Sequence, residues 1–329
     1  MSRAAVVLAC CLLASAEEVL VAWIREGGGF VSEFQVMEER GGVRGIFATT
    51  EIAEGALLAR IPWSHLFADE NMCEAIGRLR HEIQLGNASH YFPYIASMAA
   101  YEPSMPFLWH PSALDAVARL PPRDWTRHSR WYLESCGPID DAVTRRALEL
   151  YLARSAGNPR GFLFCPVYDH YNHRNGKWHN TRVEVLWGEA MSVYASRRVA
   201  QGEELFNSYG EGTAAIFRDY AFVEQVPQVW DLQGHEFVLA DEGTDGDLVV
   251  EWRTKRPSSL EDFDHALAPV TLELDAFGGP DPRLLETEIR YAREIRLALG
   301  YQQAIRQAIH HARRDILVFF LQQAARDDL

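Results

Sequence analysis

Strand-like segments stand on both sides of a long helix-like tract, and that order constrains the fold more than any other feature of the chain. From Trp23 to about Pro62, β-forming runs alternate with turns: a strand at Ile46–Ala48, a turn at Glu54-Gly55 and a strand at Leu57–Ile61. From Ser64 to about Ser155 the pattern is helical. In "DAVTRRALELYLARS", Val143, Ala147, Leu150 and Ala153 recur at helical spacing, with Asp140 or Asp141 placed to cap them. Prolines at 103, 106, 111, 121 and 122 cut the rest of this tract into short pieces. Strands return at Gly161 with "GFLFCPVY", "RVEVLW" and "AMSVYA", the last two joined by a turn at Gly188-Glu189. "TAAIFRDYAFVE" reads as a short helix. "HEFVLADEGTDGDLVVEW" reads as a hairpin, followed by a polar, proline-containing stretch. At the end, Ile289, Ala292, Ile295 and Leu299 form one helical stripe. Ile305, Ile309, Ala312, Ile316 and Phe319 form another, with Gly300 expected as a break between them. This order predicts an α+β fold and lacks the βαβ alternation of a doubly wound sheet.

One short stretch concentrates polar groups directly behind a buried-type strand. "DHYNHRNGKW" places Asp169, Asn172 and His173 within five residues of one another after "GFLFCPVY". Such groups need partners or they cost free energy. Clustered Asp169, His170, His173 and His179 raise the possibility of a metal site, but no HExxH or second Cys/His cluster accompanies them. GxSxG, P-loop and GxGxxG signatures are absent. "GEGT" at Gly210–Thr213 is too short to count as a phosphate loop. With 329 residues and 48% hydrophobic content the chain can bury a real core as one large or two small domains. A net charge of −14 argues against nucleic acid as a partner and weakly favours a basic peptide.

The N-terminus "MSRAAVVLACCLLASAEE" carries a basic start at Arg3, a short apolar run and the small-x-small triplet Ala14-Ser15-Ala16. It reads as a cleaved leader over residues 1–16, with an N-terminal core helix of the domain as the alternative. Cys73, Cys136 and Cys165 remain after the leader, an odd and scattered set read as unpaired. The leader suggests secretory-pathway or organelle targeting, a plastid among the options, and the unpaired cysteines point to an organelle rather than the outside; a cytoplasmic location is the alternative. No later stretch is long and apolar enough to cross a bilayer.

Three ordered elements remain: "GGVRGIFA", "PVYDHYNH" and "GEELFNSYG". In this order the chain resembles the SET-domain protein methyltransferases. It is most similar to the branch with a helical insert and a helical C-terminal domain, which includes the Rubisco large-subunit lysine methyltransferases and the actin-histidine methyltransferase. "YFPYIASM" and "RDYAFVE" add to the resemblance. It implies a β-rich SET domain of short sheets over 17–230, a helical insert over about 64–155, and a mainly helical region over 231–329. It also implies S-adenosylmethionine as cofactor. Asn172 and His173 would bind that cofactor, and Gly42, Val43 and Arg44 would line it, with Gly45 permitting close approach. Arg154 would meet the cofactor carboxylate. Tyr209 matches the catalytic tyrosine and also borders the cofactor. Tyr220 and Phe222 would wall the substrate channel, and Asp169, which would brace the turn, counts with them as substrate-binding.

Each of these residues also has an ordinary structural use: Asn172 in a turn, Arg154 at a helix end, Tyr209 in half-buried packing. Departures from the family pattern fall after Tyr209. Thr213 or Ala214 stands where a helix-starting Asn is usual, with Thr213 able to cap. Ala221 replaces a Gly, and "EGT" lacks the basic residue of the histidine-modifying enzyme. The expectation is therefore a monomeric lysine methyltransferase acting on a protein or peptide. The lack of a Cys-rich zinc cluster after the SET domain favours a non-histone substrate. The alternatives are a protein-histidine methyltransferase, an inactive SET-fold peptide-binding module and a metal-dependent hydrolase.

Overall fold

The computed structural model describes residues 15–98, 105–158, 161–210, 212–241 and 248–327. The first fourteen residues of the expected leader lie outside this set. The chain divides into two compact units. One comprises Met1–Pro103, Ser135–His173 and Lys177–Ser208, the other Ser104–Glu134, Arg174–Gly176 and Tyr209–Leu329. Residues 104–134 of the helical insert thus belong with the C-terminal region, a grouping that linear order does not reveal.

The first unit opens on helix Ala16–Glu26. Ser15 caps it: its hydroxyl accepts from the Glu18 N–H, and the Glu18 carboxylate accepts from the Ser15 N–H. Leu20 and Ile24 of this helix are fully buried. A four-stranded antiparallel sheet runs in the spatial order Phe30–Val31, Leu57–Pro62, Ala190–Ala195, Thr181–Leu186. Ala190–Ala195 is central and buried almost throughout, whereas the edge strand Thr181–Leu186 exposes most of its side chains. Gly188, with φ 86°, makes the turn between these two. Gln35–Arg40 pairs with Val43–Ala48 around the Gly41-Gly42 turn. Phe67–Asp69, Gly161–Phe164 and Ser155–Asn158 form a three-stranded sheet. Helix Ala142–Arg154 starts where the Asp141 carboxylate caps the Thr144 N–H at 2.7 Å.

Cys73 and Cys136 are joined by a disulfide, with Cα atoms 5.2 Å apart, which corrects the reading of both as unpaired. A sequence separation of 63 residues hid the pairing. Cys165 is free and buried.

The second unit packs the three antiparallel strands Gln228–Leu232, His235–Asp241 and Leu248–Trp252 with helices around Trp230, Phe237, Phe263 and Tyr301. Phe217 and Tyr301 stack face to face, 4.1 Å between centroids. Two expectations are corrected here. Ile289–Asp327 is one continuous helix rather than two separated at Gly300. A glycine inside a helix costs roughly 1 kcal/mol. Tyr301, Ala304, Ile305, Ala308, Ala312 and Ile316 are all buried along one stripe, and large apolar side chains return roughly 1.5–3 kcal/mol each. The polar, proline-containing stretch holds a further helix, Leu260–Ala276, which runs through Pro269. A proline in a helix interior costs about 3 kcal/mol, and burial of Phe263, Leu267, Val270 and Leu274 outweighs it.

Among the described residues, no helix is long and apolar enough to cross a membrane.

Candidate active site

Asn172 and His173 form a two-residue strand that pairs in parallel with Phe206–Asn207. The approach to it is tightly turned: Val167, buried, sits at φ 71°, and Tyr168–His170 is a single 3-10 turn. Asn172 Nδ2 donates to the Arg44 carbonyl at 2.8 Å and to Glu204 Oε1 at 2.7 Å. Gly45 lies beneath this contact. A Cβ there would stand 2.4 Å from Glu204 Oε1 and 3.0 Å from Asn172 Nδ2. The close approach expected at Gly45 is therefore made by these two side chains.

Asn180, fully buried, secures the same segment. Its Nδ2 donates to the Glu204 carbonyl at 2.9 Å and its Oδ1 accepts from the Phe206 N–H at 2.6 Å. Glu204 and Asn180 were not singled out in the sequence. Glu204 stands inside "GEELFNSYG", where an acidic residue ahead of a strand looks like ordinary turn chemistry.

The Arg44 side chain turns away from Asn172, to Glu17 at 3.2 Å and the Ser97 carbonyl at 2.9 Å. Burial alone would raise the Glu17 carboxyl, but its backbone hydrogen bond and Arg44 hold it below the usual range. Gly41 and Gly42 take positive φ, 60° and 81°, and Val43 is 60% exposed. Among the described residues, and leaving aside its two chain neighbours, nothing lies within 4 Å of where a Cβ at Gly42 would stand.

Asp169 and Arg154 face each other inside the first unit. Their side chains are 2% and 7% exposed, and Arg154 Nη1 donates to Asp169 Oδ2 at 3.0 Å and to the Asp169 carbonyl at 2.9 Å. Tyr94 adds a hydroxyl donor to Asp169 Oδ2 at 2.9 Å. This pair ties the end of helix Ala142–Arg154 to the 168–170 turn. Asp169, expected on the substrate side, is thus buried and bonded to Arg154 and Tyr94. Arg154 Nη1, expected at a cofactor carboxylate, is committed to Asp169.

His170, equally buried, has Nε2 3.8 Å from Asp169 Oδ1 and 3.3 Å from Ser97 Oγ. Burial pushes its imidazole down to about 4, against the pull of Asp169, so it is neutral at pH 7. Among the described residues no group of three or more His, Cys, Asp or Glu side chains is placed to hold a metal ion.

In the second unit, Tyr209, Tyr220 and Phe222 bring their rings together. Centroids lie 4.9 Å apart for Tyr209–Tyr220, 6.4 Å for Tyr209–Phe222 and 6.3 Å for Tyr220–Phe222. The planes are tilted or edge-on, as ring quadrupoles favour, and all three side chains are half-buried. Tyr220 ends helix Thr213–Tyr220. Ala221 follows in the left-handed conformation, φ 61°, with its N–H on the Phe217 carbonyl. The cap of this helix is Gly212, not Thr213; the Thr213 hydroxyl instead donates to Glu224 Oε1 at 2.8 Å.

Residues 43–210, just over half of the chain, match the SET domain family, and the chain belongs to that family. Solved structures agree in fold. The SET domain of LSMT bound to lysine and AdoHcy aligns with a TM-score of 0.57 at 14% identity, covering 95% of this chain and 92% of that one. Rubisco LSMT bound to AdoMet aligns at 0.57 and 13% identity, covering 96% and 94%. Rubisco LSMT bound to sinefungin and monomethyllysine gives the same figures, 0.57, 13%, 96% and 94%. Comparison with curated protein sequences gave no match. At these identities the structural likeness establishes the α+β SET fold.

Proposed function

We propose that this chain is an S-adenosylmethionine-dependent methyltransferase that modifies a lysine side chain of a non-histone protein. The observation that carries the proposal is the ring cluster of Tyr209, Tyr220 and Phe222 in a SET-family chain. The cofactor, when bound, supplies a sulfonium methyl group for in-line transfer to a nitrogen. The donor set suits such a ligand. The Gly41-Gly42 turn leaves its backbone open, and Asn172 is held in one orientation by Glu204 and the Arg44 carbonyl.

The chain's own task is to bind, orient and neutralise. Asn172, His173 and the backbone of Gly42, Val43 and Arg44 hold the cofactor. A lysine amine carries a proton near its ordinary pKa of about 10.4, and only the neutral form attacks. Tyr220 and Phe222 wall an aromatic slot that disfavours the ammonium. The Tyr209 hydroxyl orients the amine lone pair. Asp169 and Arg154 brace the turn that carries Asn172. The N-terminal run and the Cys73–Cys136 disulfide both favour an oxidising compartment, through secretion or import into an organelle.

The test is transfer of labelled methyl groups to an array of lysine-bearing peptides by the parent and by Tyr209→Phe. Label on lysine with the parent, lost in Tyr209→Phe while cofactor affinity is kept, supports the proposal. Label on histidine, or none with a folded parent that binds lysine peptides, would replace it with the histidine-modifying or binding-module alternative.

A further inference from the structure

Glu224 is a buried carboxylate, 3% exposed, two positions after Phe222. Its two oxygens point to different parts of the second unit. Oε1 accepts from Thr213 Oγ1 at 2.8 Å, and Oε2 accepts from Asn175 Nδ2 at 3.1 Å. Asn175, 8% exposed, also donates Nδ2 to the Gly210 carbonyl at 3.0 Å. Gln228 Nε2 donates to the Glu224 carbonyl at 2.7 Å. One connected network therefore reaches the residue after Tyr209, the first residue of helix Thr213–Tyr220 and the segment after Phe222.

The backbone through these points is unusual. Gly210 has φ 122°, Gly212 φ 93° and Ala221 φ 61°. Glycine adopts such angles freely, so nothing intrinsic to Gly210 or Gly212 fixes the path of the chain beside Tyr209. A non-glycine residue such as Ala221 keeps a left-handed conformation only where its surroundings over-determine it. Glu224, buried and bonded, stands three residues beyond Ala221 and supplies a fixed point.

We infer that Asn175 and Glu224 are positioning residues that set the Tyr209 ring against Tyr220 and Phe222. Asn175 holds the chain on one side of the ring cluster, through Gly210. Glu224 holds the other, and the hydrogen bond between them fixes the spacing. Neither touches the reacting atoms. The consequence for rate rests on the reading of Tyr209 as catalytic; the consequence for ring placement does not.

The experiment uses the full chain with its tyrosine rings labelled with carbon-13, the Tyr209 signal being assigned from its loss in Tyr209→Phe. Asn175→Asp sets two carboxylates against each other and removes the residue-175 donor to Gly210. Combining it with Glu224→Gln restores a matched donor and acceptor between 175 and 224, and still offers Gly210 no donor from 175.

The positioning role predicts that the melting temperature recovers in the double variant while the Tyr209 signal stays displaced. Methyl transfer to a lysine-bearing peptide would then remain slowed by up to about 10²-fold, as for a reacting group misplaced by an ångström, with cofactor affinity unchanged. A Tyr209 signal that returns to its parental position together with the melting temperature would overturn the inference, leaving the network as plain structural support. A parent that transfers no methyl group to any peptide would sink the methyltransferase reading alone, and the ring signal would still decide the positioning role.

Discussion

Asn172 donates to Glu204 Oε1 at 2.7 Å across the bare Cα of Gly45. The contact exists because residue 45 has no side chain. Gly45→Ala would put a methyl group 2.4 Å from that oxygen, so either Glu204 or the backbone must shift. A hydrogen bond to a charged group is worth roughly 1.5–3 kcal/mol. Gly45→Ala is therefore expected to weaken S-adenosylmethionine binding by roughly ten- to a hundredfold. Glu204→Gln, which keeps an acceptor, should weaken it less. Calorimetry on both variants checks the order, and equal affinities for parent and Gly45→Ala would refute it.

The Arg154–Asp169 pair lends itself to a double-mutant cycle, because both side chains are almost fully buried. Removing one partner strands a buried charge and should cost about 3–5 kcal/mol. Arg154→Met and Asp169→Leu, each alone, should show that loss in denaturant unfolding. The combined variant should recover much of it, since it leaves no unpaired charge. Strict additivity would mean the pair is not coupled.

Acid stability should fall in two separate windows. His170 has a folded pKa lowered to about 4 from an ordinary 6.5. The unfolded chain therefore takes up a proton on His170 at a pH where the folded chain does not. Its stabilising contribution is complete above pH 6.5 and is lost as the pH falls from there towards 4, by about 3 kcal/mol if the whole shift is expressed. Burial would raise the Asp219 carboxyl, but hydrogen bonds from Arg218 and His128 and their charge hold it well below the carboxylate range. Its contribution is thus lost only below about pH 4. His170→Gln should flatten the upper window and leave the lower one. A parental slope unchanged in His170→Gln between pH 6.5 and 4 would contradict the assignment.

Ser15 belongs to the folded unit as a helix cap, whatever happens to the residues before it. A chain beginning at Glu17 loses the cap and its reciprocal bond to Glu18, and should be less stable than one beginning at Ser15 by roughly 1 kcal/mol. Thermal melts of the two forms make the comparison. Reduction of Cys73–Cys136, which closes a loop across 63 residues, should lower stability by up to about 4 kcal/mol. A melt insensitive to reductant, with both thiols titrating free, would show that the bond does not form.

Local signals in the sequence carried much of the fold and some of the site. Asp141 and the spacing of Ala147 and Leu150 marked helix Ala142–Arg154, and Gly188 marked its hairpin, because caps and turns are decided by neighbours in the chain. Pro269 and Gly300 misled, because burial along the helices of the second unit outweighs their cost and only the folded packing reveals that burial. Tyr209, Tyr220 and Phe222 were legible as a set. The pairing of Arg154 with Asp169 was not: each had a plausible solitary role, and nothing in their spacing shows that one faces the other. Glu204 was hidden for the same reason, since its partner Asn172 lies 32 residues earlier.

Cofactor binding through Asn172 is decided by calorimetric titration of S-adenosylmethionine into the full chain and into Asn172→Ala. A single saturable site is expected in the parent, and its loss, or at least a tenfold weakening, in Asn172→Ala with the fold intact by circular dichroism. A folded parent that gives no binding heat, with or without a lysine-bearing peptide, would contradict it.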